Sequence, residues 1–143
     1  MSKNLRDLPF VSVIIPTYDD WDRLKKCLFA LSNQTYPQNR FEVIVINNNP
    51  NDTVPDDIKK YKCIILKEIE IGSYAARNRG ISFSKGDILA FTDSDCIPDT
   101  FWIEKAVIRF NKGCDRIAGF IDIFPMKTNA NLAEMYDIIF GFD

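Results

Sequence analysis

Residues 10–31 read FVSVIIPTYDDWDRLKKCLFAL, a strand, a polar turn and a helix in succession. Phe10 to Ile15 is an apolar run short enough for a buried strand, and Pro16 stops it. Asp19-Asp20-Trp21 offers a helix start. Leu24, Cys27, Leu28 and Leu31 then recur at i, i+3, i+4 and i+7, the apolar stripe of an amphipathic helix. This unit of strand, polar turn and helix recurs downstream. Phe41 to Ile46 (FEVIVI) is a second strand, running into the dense turn signal Asn47-Asn48-Asn49-Pro50-Asn51-Asp52. A short polar helix is expected over Pro55 to Lys60 and a third strand over Cys63 to Lys67. From Gly72 the period changes: Tyr74, Ala75, Asn78 and Ile81 share one face of a helix that ends near Ser84-Lys85-Gly86. Asp87 to Phe91 (DILAF) is the most strand-like run and delivers Thr92-Asp93-Ser94-Asp95 at its carboxyl end. A helix follows over Phe101 to Phe110, then a strand over Asp115 to Phe124 and an amphipathic helix over Asn131 to Phe140. Such alternation predicts an α/β fold, a mostly parallel sheet whose right-handed crossovers place helices on both faces.

The chain has 143 residues, the size of one domain, so residues 1–143 are expected to form a single unit. With 46% hydrophobic and 27% charged residues it has the composition of a soluble globular chain that can bury a core. Eighteen basic residues against twenty acidic ones leave a formal charge of −2, with no basic surplus to attract nucleic acid or an anionic membrane. There is no histidine, which excludes Ser-His-Asp and Cys-His catalysis, histidine zinc sites and an imidazole pH switch. Acid–base or metal chemistry therefore falls to carboxylates. Cys27, Cys63, Cys96 and Cys114 form no C-x-x-C pair and read mostly as buried free thiols. The segment 1–7 lacks a signal peptide's apolar region, and no apolar run is long enough to cross a bilayer. A reduced, cytoplasmic domain is the expectation.

Ligands of open α/β sheets bind beyond the carboxyl ends of the strands. Three such ends are polar here: Pro16-Thr17-Tyr18-Asp19, the asparagine cluster with Asp52, and Asp93-Ser94-Asp95. Each alone is an ordinary turn; their joint placement on one rim points to a site. Asp93 and Asp95, one residue apart after a buried strand, can hold a hard divalent cation such as Mg2+ or Mn2+ whose other ligands are water and phosphate oxygens. The alternative is that they cap the turn and the helix at Phe101. Arg77 and Arg79 bracket an anion contact, and i and i+2 do not share a helix face, so one of them, Arg79, is expected to be solvated.

Several segments in register resemble the family 2 glycosyltransferases of the GT-A fold. They are Val11 to Tyr18; Leu28, Leu31 and Gln34-Thr35-Tyr36-Pro37; Phe41 to Ile46; Gly72 to Gly80, with Ala76-Arg77-Asn78-Arg79-Gly80 at its centre; and Lys85 to Asp95, followed by Pro98 and Trp102. The resemblance runs from Val11 to Phe110 and implies a nucleotide-sugar site. In it Pro16, Thr17, Tyr18 and Asp19 line the base and ribose with Asn47 and Asn48, and Arg77 approaches the base or diphosphate. Asp93 and Ser94 contact the nucleoside side, while Asp95, with Asp93, reaches a bridging Mn2+ or Mg2+. The implied reaction is inverting transfer of a sugar from a UDP-, dTDP- or GDP-linked donor to a glycan or lipid-linked acceptor hydroxyl, in polysaccharide or glycan biosynthesis. As part of a longer protein, such a chain is expected at a membrane.

The chain departs from that family in two places. Asparagines stand after the second strand where aspartates are usual, so charge assistance to a base N–H is lost there, and Asp52 occupies a later acidic position. The acceptor segment and its general base are expected beyond Asp143, because Asp122, Glu134 and Asp137 sit in no base-like motif. The fold is then incomplete at its C-terminus, and Ile138, Ile139, Phe140 and Phe142 would pack on further chain or on a second copy. Two other readings stay open: a non-catalytic nucleotide-binding domain, and a phosphoryl-transfer hydrolase with an aspartyl nucleophile.

Overall fold

A computed structural model of the chain describes residues 8–49 and 51–122. Their helices and strands all lie in a compact unit ending at Gly113, and a second unit begins at Cys114. Four strands, β1 (Val11–Thr17), β2 (Phe41–Asn47), β3 (Ile64–Lys67) and β4 (Ile88–Phe91), form one parallel sheet in the order β3-β2-β1-β4. Three helices accompany them: α1 (Trp21–Ser32), α2 (Ser73–Phe83) and α3 (Trp102–Phe110).

The apolar runs of β1 and β2 are continuous because both sheet faces are covered. Val11, Val13 and Ile15, with Val43 and Val45, enter one core together with α1 and α3. Ile14, Ile44 and Ile46 point the other way and meet Ala76 of α2. The α1 stripe is buried as its spacing requires, at Leu24, Cys27, Leu28 and Leu31, and each leucine contributes roughly 2 kcal/mol of burial. After α1, Gln34 is a stitch between loops. Its amide donates to Asp99 O at 2.7 Å and its carbonyl accepts the Ile103 N–H at 3.1 Å, which seats the start of α3. Tyr36 donates to Pro9 O at 2.6 Å and locks the entry to β1.

The structure corrects four expectations. Pro16 does not stop β1, which continues to Thr17. Phe10 and Ile14 present their carbonyls to β4, so Pro16, two residues on, faces that same side, where β4 has already ended opposite Ile14. The missing N–H therefore leaves no gap in the ladder. Residues 55–60 form successive turns rather than a helix. Ile58 alone dips into the core, and one buried residue in so short a segment does not offset helix nucleation. In α2 the packed face is Ala76 and Gly80, while Tyr74, Asn78 and Ile81 are exposed and Ala75 is half-buried. A β-carbon on Gly80 would lie 2.5 Å from Ile14 Cγ2 and 2.9 Å from Ile46 Cδ1, so the helix reaches the sheet through its small residues. Finally, Asp115 to Asp122 form no strand, and Phe120 is 94% exposed. Alternation supplies a face but not the ladder partner that a strand's backbone needs. Ile123 and Phe124, the helix expected over Asn131 to Phe140, Glu134, Asp137 and the apolar residues 138–142 lie outside the described residues.

Candidate functional site

The strand order reverses beside β1: β2 and β3 lie to one side and β4 to the other. The crevice beyond the carboxyl ends of β1 and β4 is thus the topological switch point, where open α/β sheets hold ligands. Thr17 ends β1 in register with Asn47, the last residue of β2, and the Thr17 carbonyl accepts the Asn48 N–H at 2.9 Å. Tyr18 stands half-exposed just beyond, and Asp19 adopts φ 50°, a left-handed conformation that Asp tolerates better than most residues. The Asn49 amide donates to Asp19 Oδ1 at 2.7 Å and clasps the ends of β1 and β2 together.

On the other side of the crevice stands the Asp-Ser-Asp turn. Arg77 Nη2 donates to Asp93 Oδ1 at 2.6 Å, so α2 aims one guanidinium at this turn, while Arg79 is exposed. Ser94 is buried, and its hydroxyl donates to Asp20 Oδ2 at 3.1 Å. The other oxygen of Asp20 accepts Arg23 Nε at 2.8 Å, and Arg23 Nη1 lies 3.7 Å from Asp95 Oδ2. Asp20 raises the pKa of Arg23 through this hydrogen bond and its charge. Neither Asp93 nor Asp95 caps α3, whose N-cap residue is Phe101 without a side-chain cap; Asp99 receives the Phe101 N–H instead. The helix-capping half of the alternative reading does not hold.

The asparagine cluster serves two purposes. Asn48 is buried, and its amide donates to Glu68 O at 3.2 Å and Glu70 O at 2.7 Å while its oxygen accepts the Gly72 N–H at 2.8 Å. That latch sets the start of α2, where Gly72 has φ 137°, and so the place of Arg77 one turn on. Asn48 thus holds the loop beside the crevice, with both polar atoms of its side chain engaged. Asn47 accepts the Asn49 N–H at 3.0 Å, and its Nδ2 is buried without a hydrogen-bond partner, as is the neighbouring Thr17 Oγ1. Asp52 accepts the indole N–H of Trp21 and ties the loop to the start of α1.

The Cys27 thiol, on the inner face of α1, is pushed up to about 12 by burial, with the negative charges of Cys96, Asp95 and Asp93 adding to the effect. Burial raises the Cys96 thiol as well. Among the described residues no three Cys, Asp or Glu side chains converge on one point. Asp93 and Asp95, one residue apart on this turn, are two carboxylates that could offer oxygens to a cation. Hard oxygens in that number suit Mg2+ or Mn2+ that keeps water and substrate phosphates as its other ligands. Asp95 is the freer of the two, because Asp93 is already engaged by Arg77.

Of the residues expected from sequence, Thr17, Tyr18, Asp19, Asn47, Asn48, Arg77, Asp93, Ser94 and Asp95 come to this rim, with Pro16 immediately behind it. Asp20 and Arg23 also stand at this rim, although no motif marks them as site residues. Their signal was an acid–base pair at i, i+3 directly after a strand end.

The sequence profile of "Glycosyl transferase family 2" matches residues 12–137. "Glycosyltransferase AglE" of Haloferax volcanii is 39% identical over 137 residues, which cover 91% of this chain and 45% of that protein. Among solved structures, the "Mannosyltransferase PcManGT from Pyrobaculum calidifontis in complex with GDP-Man and Mn2+" is 25% identical with a TM-score of 0.58, covering 68% of this chain and 30% of that one. "S. aureus TarS 1-349 in complex with UDP" shares the fold at 24% identity and a TM-score of 0.63, covering 72% of this chain and 32% of that one. The chain spans less than half the length of each of these relatives. No helix among the described residues is long and apolar enough to cross a membrane.

Proposed function

The chain belongs to glycosyl transferase family 2, and from that premise we propose that it is the nucleotide-sugar-binding part of a divalent-metal-dependent, inverting glycosyltransferase. The observation that carries this reading is the pairing of Arg77 with Asp93 beside the freer Asp95, at the strand-order switch. A mannosyltransferase of similar fold holds GDP-Man and Mn2+, which supports a nucleotide-sugar donor and a metal of this kind.

On this reading Thr17 and Tyr18, with Asn47, line the base and ribose. Asn48 shapes the pocket by fixing the loop that leads into α2. Arg77 presents its planar fork to the phosphates while Asp93 orients it. Asp95, with Asp93, holds Mn2+ or Mg2+, which when bound supplies Lewis-acid stabilisation of the leaving diphosphate. An acceptor hydroxyl attacks the anomeric carbon from the opposite side, and a carboxylate base beyond Asp143 takes its proton. The donor is a UDP-, dTDP- or GDP-sugar, and the acceptor is a glycan or lipid-linked hydroxyl in polysaccharide or glycan assembly, at the cytoplasmic side of a membrane.

Calorimetry with UDP, dTDP and GDP, with and without Mn2+, tests the donor site. One nucleotide should bind, and Mn2+ should tighten it. In Asp95→Ala that tightening should disappear while the circular dichroism spectrum stays unchanged. Mn2+-dependent binding that survives in this variant would remove Asp95 from the metal site, and failure of all three nucleotides to bind would overturn the donor reading.

A further inference from the structure

We propose that Arg23 is a second guanidinium of the diphosphate site, meeting the outer phosphate of the donor from the β1–α1 side while Arg77 serves from the α2 side. The proposal rests on the donor-site reading above and extends it to a residue that no motif marks.

Arg23 is tethered on one edge and free on the other. Its Nε is held by Asp20 at 2.8 Å, but Nη1 is 3.7 Å from Asp95 Oδ2, beyond hydrogen-bond distance. The terminal nitrogens therefore stand next to the carboxylate best placed for the cation, with donors still to give. About half of the side chain is exposed, so a ligand can reach it.

Asp20 makes this placement specific. It is the N-cap residue of α1, yet its side chain makes no capping bond. Capping by Asp is ordinarily favourable, so a carboxylate turned away from its helix needs another use. Here one oxygen holds Arg23 and the other accepts the Ser94 hydroxyl in the middle of the Asp-Ser-Asp turn. Guanidinium and turn are thus fastened to the same carboxylate.

The charge balance also calls for the second arginine. Asp19, Asp20, Asp93 and Asp95 outnumber Arg23 and Arg77 by two. A diphosphate approaching that rim meets net negative charge, and the Arg23 fork lowers this barrier in step with the cation. Arginine suits the task because its planar donors match phosphate oxygens and it stays protonated.

The test is binding of the nucleoside diphosphate and its monophosphate to the full chain in Mn2+, for wild type, Arg23→Ala and Arg23→Lys. Loss of a charged hydrogen bond to the outer phosphate should weaken the diphosphate roughly tenfold to a hundredfold in Arg23→Ala. Monophosphate affinity should hold within about twofold on the same argument, and Arg23→Lys should recover part of the diphosphate affinity, since a lysine offers charge without the fork. Equal losses for both nucleotides would overturn the proposal and leave Arg23 as a prop for the Asp-Ser-Asp turn. Unchanged diphosphate affinity would overturn it too, and Arg23 would only balance Asp95. A wild type that binds neither nucleotide would bring down the donor-site reading and this inference with it, whereas a binding wild type with an indifferent Arg23→Ala brings down this inference alone.

Discussion

Cys27 shows how the site's charge reaches a residue that takes no part in it. Its thiol is fully buried in the α1 stripe, and burial, reinforced by Asp95 and Asp93, raises it to about 12. In the unfolded chain a thiol ionises near about 8.5. Above that pH the unfolded state loses its proton first, so the stabilising effect of the buried neutral thiol is complete below about 8.5 and fades as pH rises toward about 12. Within that window the slope for this one group is about 1.4 kcal/mol per pH unit. Cys63 and Tyr36 are raised by burial and act with the same sign. Urea unfolding between pH 8 and 11 should therefore show falling stability. Cys27→Ala, less stable at neutral pH because of the cavity it leaves, should lose part of that slope. An identical slope in both proteins would mean that the thiol is not sealed in the α1 core.

The same distinction between what attracts notice and what makes contact governs α2. Tyr74 and Ile81 look like its packing face because they are apolar, yet the helix meets the sheet through Ala76 and Gly80. Small size, not hydrophobicity, is the signal, and it becomes legible only when Ile14 and Ile46 are seen on the opposing strands. Gly80→Ala tests this directly. The added methyl gains about 1 kcal/mol in helix propensity, but it must displace Ile14 Cγ2, a branched atom of a fully buried strand residue. Overpacking of that kind costs about 1–3 kcal/mol, so a net loss of up to about 2 kcal/mol is expected. Nucleotide affinity should fall as well, because α2 carries Arg77 to Asp93. Tyr74→Ala, on the exposed face, should leave stability within about 0.5 kcal/mol; if it proves the more damaging change, the packing face is wrongly identified. The strands fared better in sequence because β1 and β2 are buried on both faces and Asp93 follows β4 directly. Residues 55–60 and 115–122 misled because local pattern says nothing of whether a core or a neighbouring strand is there to receive it. The latch made by Asn48 and the bond between Asp20 and Ser94 are opaque for a related reason: these partners lie 20 to 24 and 74 positions apart.

Across the whole unit, the site is not carried by any one segment. Thr17 comes from β1, Asn47 from β2, Arg77 from α2 and Asp93 to Asp95 from the turn after β4, and only the sheet order brings them together. Every strand contributes to the rim or anchors a loop that does, β3 through Glu68, whose N–H donates to Asn47 O at 3.0 Å and whose carbonyl accepts from Asn48. An unfolded chain therefore holds no fragment of the site with appreciable affinity. Binding to the folded state alone stabilises it by about 2.7 kcal/mol at a hundred times Kd. For a chain of this length each kcal/mol moves the midpoint by roughly 3–4 °C. Saturating nucleotide with Mn2+ should thus raise the melting temperature by on the order of 10 °C, with the shift growing logarithmically in ligand concentration. Chelating the metal should remove most of the shift, because Asp95 then faces the diphosphate as one negative charge against another. A midpoint that stays put at concentrations where calorimetry reports saturation would mean that binding does not depend on the intact sheet, and would count against a site assembled from three separate strand ends and one helix.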